Sequence, residues 1–180
     1  ARELSPVELL DALIDRIEAL EPTINAVCDR RYAEARAEAA HSAERYLGKH
    51  GGPRALEGLP VAAKEEHPMT GRSWTQGSFT LADEVAAFDH PIIERIQAAG
   101  GIIHVRVTTP EFCCAAFCHT SMWGITRNPW NTDFSSGASS GSWRWPLHDC
   151  PRPTPRRCGA SPASLRWACR SPPPPRPMAW

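Results

Sequence analysis

Lys64 is one of two lysines in the chain, and it directly follows a short apolar run, LPVAA, over residues 59–63. A lysine carried to the end of a buried strand meets a low dielectric, which penalises its charged form and lowers its pKa. A neutral lysine can take a proton and act as a general base. The plain alternative is a strand-end lysine in solvent, or one paired with Glu65 or Glu66. Further along, DFSSGASSGS (residues 133–142) is half serine. Small residues let the backbone turn sharply and approach a ligand closely. Exposed N–H groups in such a loop can hold an anion or an oxyanion. Its plain alternative is a polar linker.

The elements that must carry these residues are legible in outline. Ser5-Pro6-Val7-Glu8 has the form of a capping box with proline in the first turn. Val7, Leu10, Leu13, Ile14, Ile17 and Leu20 follow at helical spacing, and Glu21-Pro22 is expected to close the helix. An alanine-rich helix is expected from about Arg30 to Leu47, stopped by Gly48. The run over 59–63 reads as a buried strand delivering Lys64. Asp89 is the expected cap of a helix over Pro91–Ala99, with Ile92, Ile93 and Ile96 as its stripe and Gly100-Gly101 as its stop. IIHVRV (102–107) is β-branched and strand-like, and Thr109-Pro110-Glu111 is expected to start another helix. This rhythm is that of an α/β fold with a partly parallel sheet.

Bulk properties exclude several classes. The 180 residues carry no net charge, which points to neither nucleic acid nor membrane, and no apolar run approaches a membrane span. The chain shows no signal-peptide layout, and a cytoplasmic address is expected. The seven cysteines fall at irregular spacings unlike a secreted disulfide framework. Cys113, Cys114, Cys118 and His119 crowd together, but adjacent cysteines on a helix face different ways, so small buried thiols are expected rather than a metal site. Trp74, Trp123 and Trp130 are expected to pack under loops.

Composition changes near Ser142. Residues 1–142 hold 13 basic and 19 acidic residues; residues 143–180 hold seven arginines against Asp149 alone, with 10 of the 18 prolines and four of the seven tryptophans. That tail keeps no period of 2 or 3.6, and proline recurs too often for a helix interior or a central strand. Two regions are therefore expected: 1–142 as the structured part, and 143–180 as an out-of-frame or disordered Pro/Arg/Trp-rich tail. Out-of-frame reading of a GC-rich gene yields this composition. The rival is a fused basic, proline-rich interaction segment.

Taken in order, GLPVAAKEE, ERIQAAGGIIHVRVTTPEF, GITRNPWN and SSGASSGS resemble the amidase signature family, as does the opening ELSPVELLDALIDRIEALEPTINAV. The resemblance covers about residues 3–142. It implies the N-terminal portion of that α/β fold, a mixed sheet flanked by helices, and hydrolysis of carboxamide C–N bonds by a Ser-Ser-Lys triad. It implies Lys64 as the base and Ser139 as the bridging serine at a cis peptide bond, with Ser140 and Gly141 against the substrate. Ala138 departs from the family's glycine. The family's nucleophile segment, a glycine-flanked serine a couple of dozen residues on, has no counterpart in 143–180. Ser161, Ser164 and Ser171 lack its glycines, so the chain as written is expected to be inactive. The expected partner is a small-molecule amide, with no cofactor, no metal, no nucleic acid and no membrane. The alternatives are a subunit of the amidotransferase A type and a non-catalytic fragment with a basic interaction tail.

Overall fold

The computed structural model describes residues 4–137. Ser139, Ser140, Gly141 and the tail over 143–180 lie outside the described residues. Helix α1 (Pro6–Ile24) opens with the expected capping box: Ser5 Oγ accepts from the Glu8 amide while Glu8 accepts from the Ser5 amide. The helix runs past Pro22, which removes one amide donor near a terminus where one bond is all that is lost. Glu21 stabilises the exit by accepting from the Ala26 and Val27 amides at 3.0 and 2.7 Å, and Asn25 closes the turn in the left-handed conformation (φ 55°).

Strand β1 (Val27–Arg30) follows, then helix α2 (Tyr32–Tyr46). The expected second helix thus starts later, because residues 27–30 pair with a strand some eighty positions on. Strand β2 (Pro60–Lys64), helix α3 (Pro91–Ala98) and strand β3 (Ile102–Val107) complete the main layer. His90 rather than Asp89 caps α3, its Nδ1 accepting from the Ile92 amide; Asp89 instead accepts from the Thr70 amide at 2.6 Å. Residues 111–113 form a single 3-10 turn, not the expected helix, because the Phe112 amide is drawn to the Gln76 carbonyl. A small ribbon, β4 (His119–Thr120) against β5 (Gly124–Ile125), lies beyond it.

The sheet order is β1-β3-β2, with β3 antiparallel to β1 and parallel to β2. It is the mixed sheet expected. β3 is buried along its whole length because helices cover both faces. Leu10, Ile14, Ala35, Ala39 and Ile102 form one cluster, continued by Ile17, Val27, Val105 and Val107. Ala63, Met69, Ile93 and Ile103 pack under α3. The β2 register skips from Ile103 to Val105, and this irregularity at His104 brings Val105 and Val107 to the α1 side.

The loop leading into β2 is tied to α2 by a buried carboxylate. Glu57 accepts from Ser42 Oγ (2.6 Å) and from Arg54 Nε (2.6 Å), and Tyr46 donates to its carbonyl. The Arg54 guanidinium holds the Glu57 carboxyl at about 2, below its ordinary 4.5, against burial that alone would raise it. A depressed carboxylate contributes stability that is present above 4.5 and is lost as pH falls from there through 2. Glu57→Gln is expected to lower stability at pH 7 by roughly 1–3 kcal/mol and to remove that acid component. Urea midpoints measured from pH 7 to pH 2 check this; parallel curves for the two proteins would contradict it.

Candidate functional site

Ligands of α/β proteins gather at the carboxyl ends of parallel strands, and here that end carries Lys64. Val107 pairs with Lys64 across β2 and β3, and the Glu65 amide donates to the Val107 carbonyl. Beyond this point three successive residues of β2's exit do different work. Glu65 is buried and accepts from the Thr75 and Gln76 amides at 2.6 and 3.0 Å, which fixes the loop crossing above the sheet. Burial pushes the Glu65 carboxyl upward, with Thr75 and Arg106 opposing it. Gly77 in that loop has φ 71°, and a Cβ there would come within 3.0 Å of the Thr109 carbonyl and the Thr120 methyl. Only glycine lets the loop pass so close.

Lys64 is drawn inward, its side chain 14% exposed, and its Nζ lies 2.9 Å from Glu66 Oε2. The burial expected from sequence is present; the lowered pKa is not. Burial alone would lower the lysine, but Glu66 and the Cys113 sulfur outweigh it and hold the ammonium above its ordinary value. Glu66 is the converse: burial would raise it, while Cys113 and Lys64 hold it below the ordinary carboxylate value. The resting arrangement is an ion pair with Glu66, one form of the plain alternative open at Lys64.

The first serines of the stretch, Ser135 and Ser136, are brought to the same end of the sheet by the segment before them. In residues 128–134, Asn128 Oδ1 accepts from the Trp130 amide, Asn131 Oδ1 from the Asp133 amide, and the Phe134 carbonyl from the Asn128 amide. These side-chain-stabilised turns reverse the chain, so Ser135 bridges back to Arg127 and the Ser136 amide donates to the Thr126 carbonyl at 2.9 Å. Thr126 is itself buried. Its hydroxyl lies 2.7 Å from that of Thr108, which directly follows β3, and also donates to the Asn25 carbonyl. The start of the serine loop is therefore pinned to the strand next to the one that delivers Lys64.

Cys113, expected to be a small buried thiol, is half-buried and donates to Glu66, with Thr109 Oγ1 3.0 Å from its sulfur. Cys114 is exposed and Cys118 buried; Trp130 is 55% exposed rather than packed, whereas Trp74 donates to the Glu66 carbonyl. Among the described residues, no group of three or more His, Cys, Asp or Glu could hold a metal ion, and no helix is long and apolar enough to cross a membrane. Glu66 is legible in the sequence only as one of two possible ion-pair partners of Lys64. Nothing local signals its contact with Cys113, which joins residues 47 apart. The Thr108–Thr126–Ser136 tether likewise links segments distant in sequence.

The family model described as Amidase matches residues 8–142. An indoleacetamide hydrolase of Bradyrhizobium diazoefficiens is 36% identical over 138 residues, 77% of this chain and 26% of its own length. The A-type subunit of the glutamyl-tRNA(Gln) amidotransferase of Thiobacillus denitrificans is 38% identical over 141 residues, 78% of this chain and 29% of its own length. A bacterial aryl acylamidase of known structure, described as one of the amidase signature enzymes, superposes with a TM-score of 0.70 at 30% identity, covering 78% of this chain and 29% of that one. The chain thus spans little more than a quarter of the length of these relatives. That matched quarter contains both Lys64 and the serine loop, and on it the chain belongs to the amidase family.

Proposed function

We propose that residues 4–142 supply the lysine and serine-loop part of an enzyme that hydrolyses carboxamide C–N bonds. Lys64 is the base and Ser139 the bridging serine, with Ser140 and Gly141 lining the substrate. The observation that carries this reading is the pinning of Ser136 to Thr126 beside the strand pair that ends at Lys64. Ser139 follows Ser136 by three residues, a reach of at most about 11 Å.

In this relay a neutral Lys64 takes the proton of Ser139, which takes that of the attacking serine. That serine forms an acyl-enzyme, the relay returns the proton to the leaving amine, and water releases the acid. The attacking serine is not assigned to any residue of this chain. Because Glu66 and Cys113 hold Lys64 protonated at rest, its base form grows with pH, and hydrolysis through the relay is expected to climb on the alkaline side. The hydrolase and acylamidase names among the relatives support a small amide as substrate. A second reading, an amidotransferase A-type subunit, draws support from the several relatives of that name.

The test is a chimera in which residues 1–142 replace the matching segment of the Bradyrhizobium hydrolase, assayed for ammonia release from indoleacetamide. Hydrolysis that depends on Lys64 is expected. A folded chimera whose hydrolysis is indifferent to Lys64→Ala would overturn the reading.

A further inference from the structure

Cys113 stands against the two kinds of group that an attacking thiol needs. Its S–H donates to Glu66 Oε2, and the same oxygen lies 2.9 Å from Lys64 Nζ. Lys64 and the Cys113 thiol thus meet on one carboxylate oxygen. A carboxylate on the thiol proton is a general base, and an ammonium beside the sulfur can meet the charge that develops on an attacked carbonyl oxygen.

The backbone under the thiol is unusual. Phe112 and Cys113 have φ values of 48° and 57°, left-handed conformations that cost non-glycine residues on the order of 1–3 kcal/mol each. They are held there by long-range bonding of the Phe112 amide to the Gln76 carbonyl and by the Cys113 and Cys114 amides closing on Pro110 and Glu111. The turn projects Cys113 toward the end of β2 rather than continuing as a helix. Glu66 is 29% exposed and Lys64 14%, so both charges reach the surface only in part.

We propose that Cys113 is an acyl-accepting nucleophile, with Glu66 as its general base and the Lys64 ammonium stabilising the oxyanion, acting on small esters or activated amides. The proposal does not rest on the serine relay: it uses Lys64 charged, whereas the relay needs it neutral.

In the step, the sulfur forms a bond to the acyl carbon, the thiol proton passes to Glu66, and the carbonyl π pair becomes an oxyanion facing Lys64. As the carbonyl re-forms, the bond to the leaving alcohol or amine breaks, and that group takes the proton from Glu66. The product is a thioester on Cys113 with Glu66 returned to its carboxylate.

The titratable surroundings fit general-base attack. Burial, reinforced by Glu66, pushes the Cys113 thiol up, so no standing thiolate is stored. Glu66 and Lys64 are held charged by one another and by Cys113. His67, lowered by burial, lies 3.8 Å from Glu66 Oε1 and packs at a tilt against His90; Arg106 donates to the Glu65 and His67 carbonyls on either side of Glu66. Attack through the Glu66 base is therefore expected to be flat across neutral pH, and the rate to rise on the alkaline side as the Cys113 thiol ionises.

The experiment treats the reduced 180-residue chain with p-nitrophenyl acetate, follows nitrophenolate release, and locates the acetyl group by tandem mass spectrometry. The adjacent, exposed Cys114 is the internal control. Cys113 is expected to acetylate at least about tenfold faster than Cys114. Glu66→Gln is expected to slow Cys113 by roughly ten- to a hundredfold, and Lys64→Met by about tenfold, with Cys114 unmoved. If Glu66→Gln perturbs the fold, seen as labelling of the buried Cys118, then Cys113→Ser replaces it, and the fast release must vanish. Acetyl on a serine, Cys114 labelled as fast as Cys113, a Cys113 rate indifferent to Glu66→Gln in a folded variant, or fast release that survives Cys113→Ser would each overturn the proposal.

Discussion

Arg106→Met is expected to destabilise the fold by about 3–5 kcal/mol, the cost of breaking a buried charged network by removing one member. Arg106 is fully buried in the central strand β3. Its guanidinium donates to the carbonyls of Ser73 (2.5 Å), Glu65 (2.8 Å) and His67 (3.3 Å), and lies 3.8 Å from Asp29 Oδ2. Methionine fills a similar volume but satisfies none of these oxygens, and buried acceptors without donors carry their full desolvation cost. Among the described residues, Asp29 would keep the Arg72 contact at 3.4 Å. Urea unfolding followed by far-UV circular dichroism reads the loss. A midpoint unchanged from the parent would mean that water replaces the guanidinium and that the segment after Lys64 is not held by it. Because Glu65 and His67 flank the Lys64 exit, the same variant is expected to loosen residues 65–67 first, visible as faster amide exchange there.

Lys64→Ala in the amidase chimera is expected to lower hydrolysis by roughly a hundred- to ten-thousandfold, the usual contribution of a positioned acid–base group. Alanine cannot move a proton, and it also leaves Glu66 without its cation. Lys64→Arg separates the two effects. Arginine keeps the positive charge beside Glu66 but is not deprotonated in proteins, so the relay reading expects it to be nearly as inactive as alanine. Recovery of most of the rate with arginine would mean that charge, not proton transfer, is what position 64 supplies.

Much of the scaffold is legible in the sequence because its signals are local. The capping box at Ser5 and Glu8, the stripe through Leu10, Ile14 and Ile17, and the β-branched run 102–107 each state their element within a few residues. What is not legible depends on partners far away. β1 has the mixed sequence VCDR and exists because it pairs with β3. Pro22 has the form of a stop, but Glu21, accepting from the Ala26 and Val27 amides, carries the helix through it. The turn at Phe112 and Cys113 follows helix-start signals and is turned aside by Gln76.

The site divides the same way. Lys64 stands out because an apolar strand leads to it, and its burial is present. Its charge state is not legible in the sequence, since burial and a carboxylate two residues on act in opposite directions and a sulfur from residue 113 adds to the carboxylate's side. Asn128 and Asn131 have the residue types of turns, yet their consequence, the return of Ser135 to Arg127 and of Ser136 to Thr126, needs the fold to be seen.

Whether Lys64 and Ser139 work as one proton relay is decided by a double-mutant cycle in the chimera. Members of one catalytic unit are grossly non-additive, because losing any one already disables the others. Amide hydrolysis is measured for Lys64→Ala, Ser139→Ala and the two combined. A shared relay predicts that each single variant falls by at least about a hundredfold and that the double variant is slower than the worse single by no more than about threefold. Losses that multiply in the double variant would show that Lys64 and Ser139 act independently, and would contradict the relay.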